Sequence, residues 1–225
     1  MTFVDQAAAD FQTRGFHLYP GFLDRAEQAA LRDEVLAAVA AAPFHQPATP
    51  GGGCMSVRIT GMGALAWTSD ARGYRYEARH PVTGRAWPAI PTRLLEIWAS
   101  LAGTTVVPDS CLVNFYGEGA RMGLHQDRDE ADLTVPVLSV SLGDTAIFRL
   151  GGGVRRAPTR SVPLASGDVC ILSGDTRLAF HGVDRIIPGS SRLLSGGGRL
   201  NLTLRRAGPT GRLTIPSPAP RGASS

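Results

Sequence analysis

Two periods organise the apolar positions of this chain, and they divide it near residue 104. Between residues 24 and 42, Leu31, Val35 and Val39 recur every four positions and give a helix one apolar face. Asp24 followed by Glu27 has the spacing of a capping box, and Pro43 ends the run. A second helix is predicted over 92–102 from Leu94, Leu95, Ile97, Trp98 and Leu101, with Gly103 as its stop. Beyond it come short β-rich segments split by Gly, Pro and Asp: 104–107, 110–116, 136–142, 146–150, 161–164, 168–172 and 200–206. No helical stretch separates them, so an antiparallel sandwich or barrel is expected. Upstream, 55–60 and 74–77 read as a further hairpin, and 208–225, rich in Pro, Gly and Ser, as a loose tail. No internal repeat is visible.

Composition narrows the class. With 225 residues, 43% hydrophobic and 19% charged, the chain can bury a sizeable core as one large domain or at most two small ones. No apolar run approaches the roughly 20 residues of a membrane span, and no basic segment precedes an apolar core at the start, so neither a membrane partner nor a secretory signal is expected. Cys54, Cys111 and Cys170 lie far apart without a CxxC, which disfavours a disulfide framework and a thiolate zinc site and favours a reducing cytoplasm. All 23 basic residues are arginine. Schiff-base chemistry and the lysine-ended phosphate loop are thereby excluded. The net charge of +4 permits a polyanionic partner without demanding one.

The candidate chemistry begins at His125-Gln126-Asp127, where i and i+2 on a strand would place an imidazole and a carboxylate on one face. His181 follows in Phe180-His181-Gly182 and can return as a third ligand. Two His and one carboxylate leave open positions suited to non-haem Fe(II). Arg199 and Arg205 flank the last β segment, and their planar forks suit a dicarboxylate. Asn114 and Tyr116, two apart on an earlier segment, can add neutral hydrogen bonds. Singly, each has an ordinary reading: a loop histidine, a turn histidine, a sheet-surface pair, a solvated acidic loop around Asp127. Their joint order argues for a site.

The segments 114–129 (NFYGEGARMGLHQDRD), His181-Gly182 and 199–205 (RLNLTLR) resemble the bacterial AlkB alkylation-repair dioxygenases, and the likeness runs from about residue 15 to 207. The resemblance implies a mainly β fold with flanking helices: a double-stranded β-helix, or jelly roll, carrying an N-terminal helix-and-hairpin lid that recognises the nucleotide. It divides the chain into an arm (1–14), one dioxygenase domain (15–207, with the lid at about 44–93 and the β-helix core at about 104–207) and a flexible tail (208–225). It implies Fe(II), 2-oxoglutarate and O₂, with His125, Asp127 and His181 on the metal. Asn114, Tyr116, Arg199, Asn201 and Arg205 are then expected on 2-oxoglutarate, and Thr49, Trp67, Tyr74, Tyr76, Asp129 and Arg155 on the damaged nucleotide. Gly53 and Leu172 depart from the family pattern, in which a tyrosine and a tryptophan stand there.

The implied reaction is oxidative demethylation of N1-methyladenine and N3-methylcytosine in DNA, single- or double-stranded, with RNA as a further substrate, by a cytoplasmic monomer. Six arginines between residues 55 and 93 and four between 149 and 160 are expected to follow phosphates. Two readings compete: the same oxygenase chemistry on methylated RNA or on a substrate other than nucleic acid, and a catalytically silent β-sandwich that binds nucleic acid.

Overall fold

The computed structural model describes residues 15–49 and 51–209. The expected arm 1–14 lies outside the described residues, as does the expected tail apart from Gly208 and Pro209. Strands β1 (Phe16–Tyr19), β2 (Arg58–Gly63), β5 (Ser110–Tyr116), β7 (Val137–Gly143), β10 (Val169–Leu172) and β12 (Arg199–Arg205) form an antiparallel sheet in the order β1-β10-β7-β12-β5-β2. A second antiparallel sheet runs β6 (Met122–His125), β11 (His181–Ile187), β8 (Thr145–Leu150), β9 (Arg160–Leu164). A third pairs β3 (Ala66–Asp70) with β4 (Gly73–Glu77) as a separate hairpin.

Alternation along the central strands decides what faces what. On β12, Leu200, Leu202 and Leu204 join Val113 of β5 and Leu138, Val140 and Leu142 of β7 in one apolar cluster. Helices α1 (Arg25–Ala41) and α2 (Thr92–Leu101) close that cluster with Leu31, Val35, Leu94, Ile97 and Trp98. The capping box on α1 is formed, with Asp24 and Glu27 each accepting the other's backbone N–H at 2.9 Å. The opposite face of the sheet turns Arg199, Asn201, Thr203 and Arg205 inward, toward a cavity that Phe148 and Leu164 of the second sheet also line. The fold is the expected jelly roll: helices outside, site between the sheets.

Several expectations need correcting. Residues 104–107 are not a strand. Thr104 Oγ1 accepts the Val106 N–H and the Val106 carbonyl accepts the Trp98 indole N–H, so side chains satisfy the backbone that a ladder would otherwise use. The expected hairpin also changes partners. β4 pairs with β3, whereas β2 adds to β5 as an edge of the large sheet. β1, β3 and β11 were not among the predicted segments, and β6 was expected only around 125–127; β1 and β6 are four residues long, too short for alternation to register. Finally, β6 ends at His125, so Asp127 lies in the loop beyond it and not two places along the same strand.

Candidate active site

Register brings the two histidines together. β6 and β11 run antiparallel with His125 directly opposite His181, and the ring centroids are 4.5 Å apart. Gly182 permits this approach, because a Cβ there would lie 2.5 Å from the Met122 carbonyl oxygen. Nδ1 of His125 is 2.9 Å from the Gly123 carbonyl, and Nδ1 of His181 is 2.9 Å from the Ala179 carbonyl. A carbonyl can only accept, so Nδ1 carries a proton, and in the neutral ring it is Nε2 that keeps the lone pair. Both Nε2 atoms face Asp127, at 3.8 Å from Oδ1 for His125 and 3.7 Å from Oδ2 for His181. Burial, aided by His125, pushes His181 down to about 4, which keeps the ring neutral. Burial alone would raise the Asp127 carboxyl; Arg205, then His181 and His125, outweigh it and hold the group well below the usual carboxylate range.

A loop carboxylate needs an anchor, and here the anchors are buried arginines. Arg205 donates to Asp127 Oδ2 at 2.8 Å through Nη2 and lies 3.3 Å from Glu130 Oε1 through Nε. Arg177 donates to the backbone carbonyls of Asp127 (2.6 Å) and Val135 (2.7 Å) and to Glu130 Oε2 (3.1 Å). Gln126 donates to the Leu178 carbonyl at 2.6 Å. Residues 126–130 are thus tied to 177–178 on both sides, and the acidic run, whose ordinary reading is a solvated loop, holds two buried carboxylates, Asp127 and Glu130.

Arg199 stands apart from this network. It is 1% exposed, and its Nη atoms donate to the Leu164 (2.9 Å) and Asp144 (3.2 Å) carbonyls, Ser141 Oγ (2.6 Å) and Asn201 Oδ1 (3.3 Å). Those partners are all neutral. Burial pushes its guanidinium down to about 10. Its Nε and the Asn114 Oδ1 opposite β12 have no partner among the described residues. Tyr116, directly across from Arg199, completes this end of the cavity, where burial raises its phenol to about 12.

Arg199, Asn201, Arg205, Asn114, Tyr116, His125, Asp127 and His181 all line a single cavity of about 500 Å³. Trp67, Tyr74, Asp129 and Arg155 line it too. Trp67 stacks on Tyr74 at 5.4 Å and donates from Nε1 to Asp129 Oδ2 at 2.8 Å. Two expected nucleotide contacts, Tyr76 and Thr49, are not on the cavity lining. Tyr76 donates its hydroxyl to Glu130 Oε1 at 2.6 Å. Thr49 Oγ1 accepts the Gly53 N–H at 3.1 Å and closes its own turn. Leu172 lies on the cavity wall beside Cys170 and Val137. Sequence reasoning missed Glu130 and Arg177. Glu130 was hidden in a charge run, and nothing local marks Arg177.

The residues fit the groups that the sequence implied. Ligand atoms of His125, Asp127 and His181 lie within 4.8 Å of one another, a mixed N/O set suited to a divalent iron with open positions. A buried guanidinium that forms no salt bridge among the described residues, with an orphaned Nε donor, suits a carboxylate-bearing co-substrate.

The comparisons with known proteins agree with this geometry. The 2OG-Fe(II) oxygenase superfamily matches residues 15–205. An alpha-ketoglutarate-dependent dioxygenase AlkB homolog of Caulobacter vibrioides (strain NA1000 / CB15N) is 63% identical over 193 residues, 86% of this chain and 88% of the relative. The alpha-ketoglutarate-dependent dioxygenase AlkB of Escherichia coli (strain K12) is 44% identical over 170 residues, 74% of this chain and 78% of that one. Among solved structures, OsALKBH1 superposes with a TM-score of 0.72 at 34% identity, over 86% of this chain and 97% of the other. With a paired-histidine and carboxylate centre, a buried arginine awaiting an acid and these relatives, the chain belongs to the 2OG-Fe(II) oxygenase superfamily as an AlkB-type 2-oxoglutarate-dependent dioxygenase that uses Fe(II), 2-oxoglutarate and O₂.

Proposed function

We propose that this enzyme oxidatively demethylates N1-methyladenine and N3-methylcytosine in DNA, with RNA as a further substrate, releasing formaldehyde, succinate and CO₂ and so repairing alkylation damage directly. One observation carries the reading: the cavity that holds the His–Asp–His set is walled by a stacked Trp67–Tyr74 pair hydrogen-bonded to the carboxylate of Asp129. A flat aromatic face beside an anion suits a planar cation, and both lesions are cationic bases. After demethylation the base is neutral, so Asp129 favours substrate over product. A methylated base cannot pair normally, which lowers the cost of drawing it out of a helix.

Iron, 2-oxoglutarate and O₂ supply the oxidation of the methyl C–H bond when bound. The chain does the rest. Arg199 takes the distal carboxylate of the co-substrate, since among the described residues it forms no salt bridge and its Nε is unpartnered. Arg205 stands nearer the metal-binding end, on Asp127, while Tyr116 lies across from Arg199 and the paired Asn114 and Asn201 lie between the two arginines. Val137, Phe148, Leu164 and Leu172 give the cavity apolar walls. Arg155, above the Phe180 ring at 5.8 Å, is placed to hold a phosphate. Among the described residues no helix is long and apolar enough to cross a membrane. We place the enzyme in the cytoplasm as a monomer, its cysteines free thiols as in the structure.

Mass spectrometry of methylated oligonucleotides tests the reading. Incubation with iron, 2-oxoglutarate and ascorbate should remove one methylene mass per lesion and release equivalent formaldehyde. Parallel DNA and RNA arms, single-stranded and duplex, rank the substrates. Succinate release with every oligonucleotide mass unchanged would reject a nucleic-acid substrate.

A further inference from the structure

Glu130 presents an unexplained economy of charge. Four buried ionic side chains form one network: Asp127, Glu130, Arg177 and Arg205. Arg205 has two carboxylates within reach, Asp127 at 2.8 Å and Glu130 at 3.3 Å. Asp127 is also the carboxylate that the histidines face. A guanidinium held on Oδ2 competes with a cation for that same oxygen. Were Asp127 its sole counter-ion, metal binding would strand Arg205 in a buried site, at a cost of several kcal/mol.

We propose that Glu130 is the exchangeable counter-ion of Arg205, a positioning residue that receives the guanidinium when Asp127 ligates the metal. Its surroundings suit that role. Oε2 is fixed by Arg177, whose other donors hold the Asp127 and Val135 carbonyls, so the carboxylate cannot swing away. Oε1 faces both Arg205 and the Tyr76 hydroxyl of the lid strand β4. The side chain is 1% exposed, so neither water nor a mobile ion can take its place. Arg205 thus passes from Oδ2 of Asp127 to Oε1 of Glu130 while staying paired throughout. A bound 2-oxoglutarate carboxylate offers Arg205 a third anion and relieves the demand on Glu130.

This inference rests on Asp127 as a metal ligand and on Arg205 as a neighbour of 2-oxoglutarate, and its test separates those premises from itself. Mn(II) binding is followed by the loss of the free-ion magnetic resonance signal, without turnover. The wild-type chain should bind one Mn(II), and His125→Ala should abolish binding; failure of either overturns the metal site and the inference together. Glu130→Gln, which keeps shape and acceptor but loses charge, should weaken Mn(II) binding roughly tenfold, at the low end of the usual effect of groups behind metal ligands. Adding 2-oxoglutarate should shrink that deficit to within about threefold, by linkage through Arg205. A deficit that 2-oxoglutarate leaves unchanged means a merely structural role, and an unaltered Mn(II) affinity means no role; either overturns the proposal. If Glu130→Gln does not fold, Glu130→Asp carries the same measurement, with a smaller deficit that 2-oxoglutarate must likewise narrow.

Discussion

The ligands of the His–Asp–His set differ in what else they hold, and this predicts how each fails. The His125 side chain is 40% exposed and its Nδ1 partner is a neighbouring carbonyl, so His125→Ala should abolish iron binding and turnover with little change in melting temperature. Asp127→Ala should abolish both and also destabilise, by less than the ~3–5 kcal/mol of stranding a buried charge, because Arg205 loses its closest partner but keeps Glu130. Iron content and thermal melts of the two variants check the contrast. Arg199 differs again. Among the described residues no salt bridge holds it, but it donates to four buried neutral acceptors, so Arg199→Met should lower the stability of the ligand-free protein by about 1–3 kcal/mol. The wild type, saturated to about 100 times Kd with 2-oxoglutarate, should gain about 2.7 kcal/mol, and the variant should gain none. An equal ligand-induced shift in both would remove Arg199 from the co-substrate site.

At the scale of elements, the β3–β4 hairpin is tied to the metal-binding loop by two bonds, Trp67 to Asp129 and Tyr76 to Glu130. Trp67→Ala removes the stacking surface and one of these ties. Affinity for a methylated oligonucleotide should fall by about 1–3 kcal/mol, the worth of one base–aromatic stack. Succinate formation without substrate should remain measurable, since the metal and co-substrate contacts are untouched. The β6–β11 pair is held close by Gly182. Gly182→Ala forces the strand of His125 away from that of His181, so Mn(II) affinity should drop while the large sheet, which lacks both strands, keeps its hydrogen-exchange protection.

For the whole molecule, charge pairing revises the reading of three of the six arginines in the segment 55–93. Arg72 and Arg75 are bound to Asp70, Arg75 also to Glu77, and Arg93 to Glu27 and Glu96. Arg58 lies over the rings of Phe44 and Phe115. Exposed Arg121, Arg128 and Arg155 cluster instead around the cavity and its β6 edge, the last two on its lining. With about three phosphates neutralised, the log–log salt slope for a single strand should be near −2, from about −0.7 per phosphate. A slope twice as steep would restore the segment 55–93 to the interface.

What the sequence determined by itself was the local physics. Backbone geometry sets a strand period of two, so 199–205 could be read as leucines on one face and chemistry on the other before any partner was known. The capping box at Asp24 and Glu27 was legible because donor and acceptor lie within one turn. The triad and its arginines were legible as residue types in order. Their convergence was decided only by tertiary structure, because cross-strand register depends on which faces are buried, and no short window contains that. His181 meets His125 across 56 positions through a β11–β6 pairing that no periodicity announces. Asp127 left its strand, and the charged run around it went inside, because Arg177 and Arg205 arrive from distant elements to pay its desolvation. Short strands and loop carboxylates carry too little local free energy to declare themselves; the assembled sheets place them.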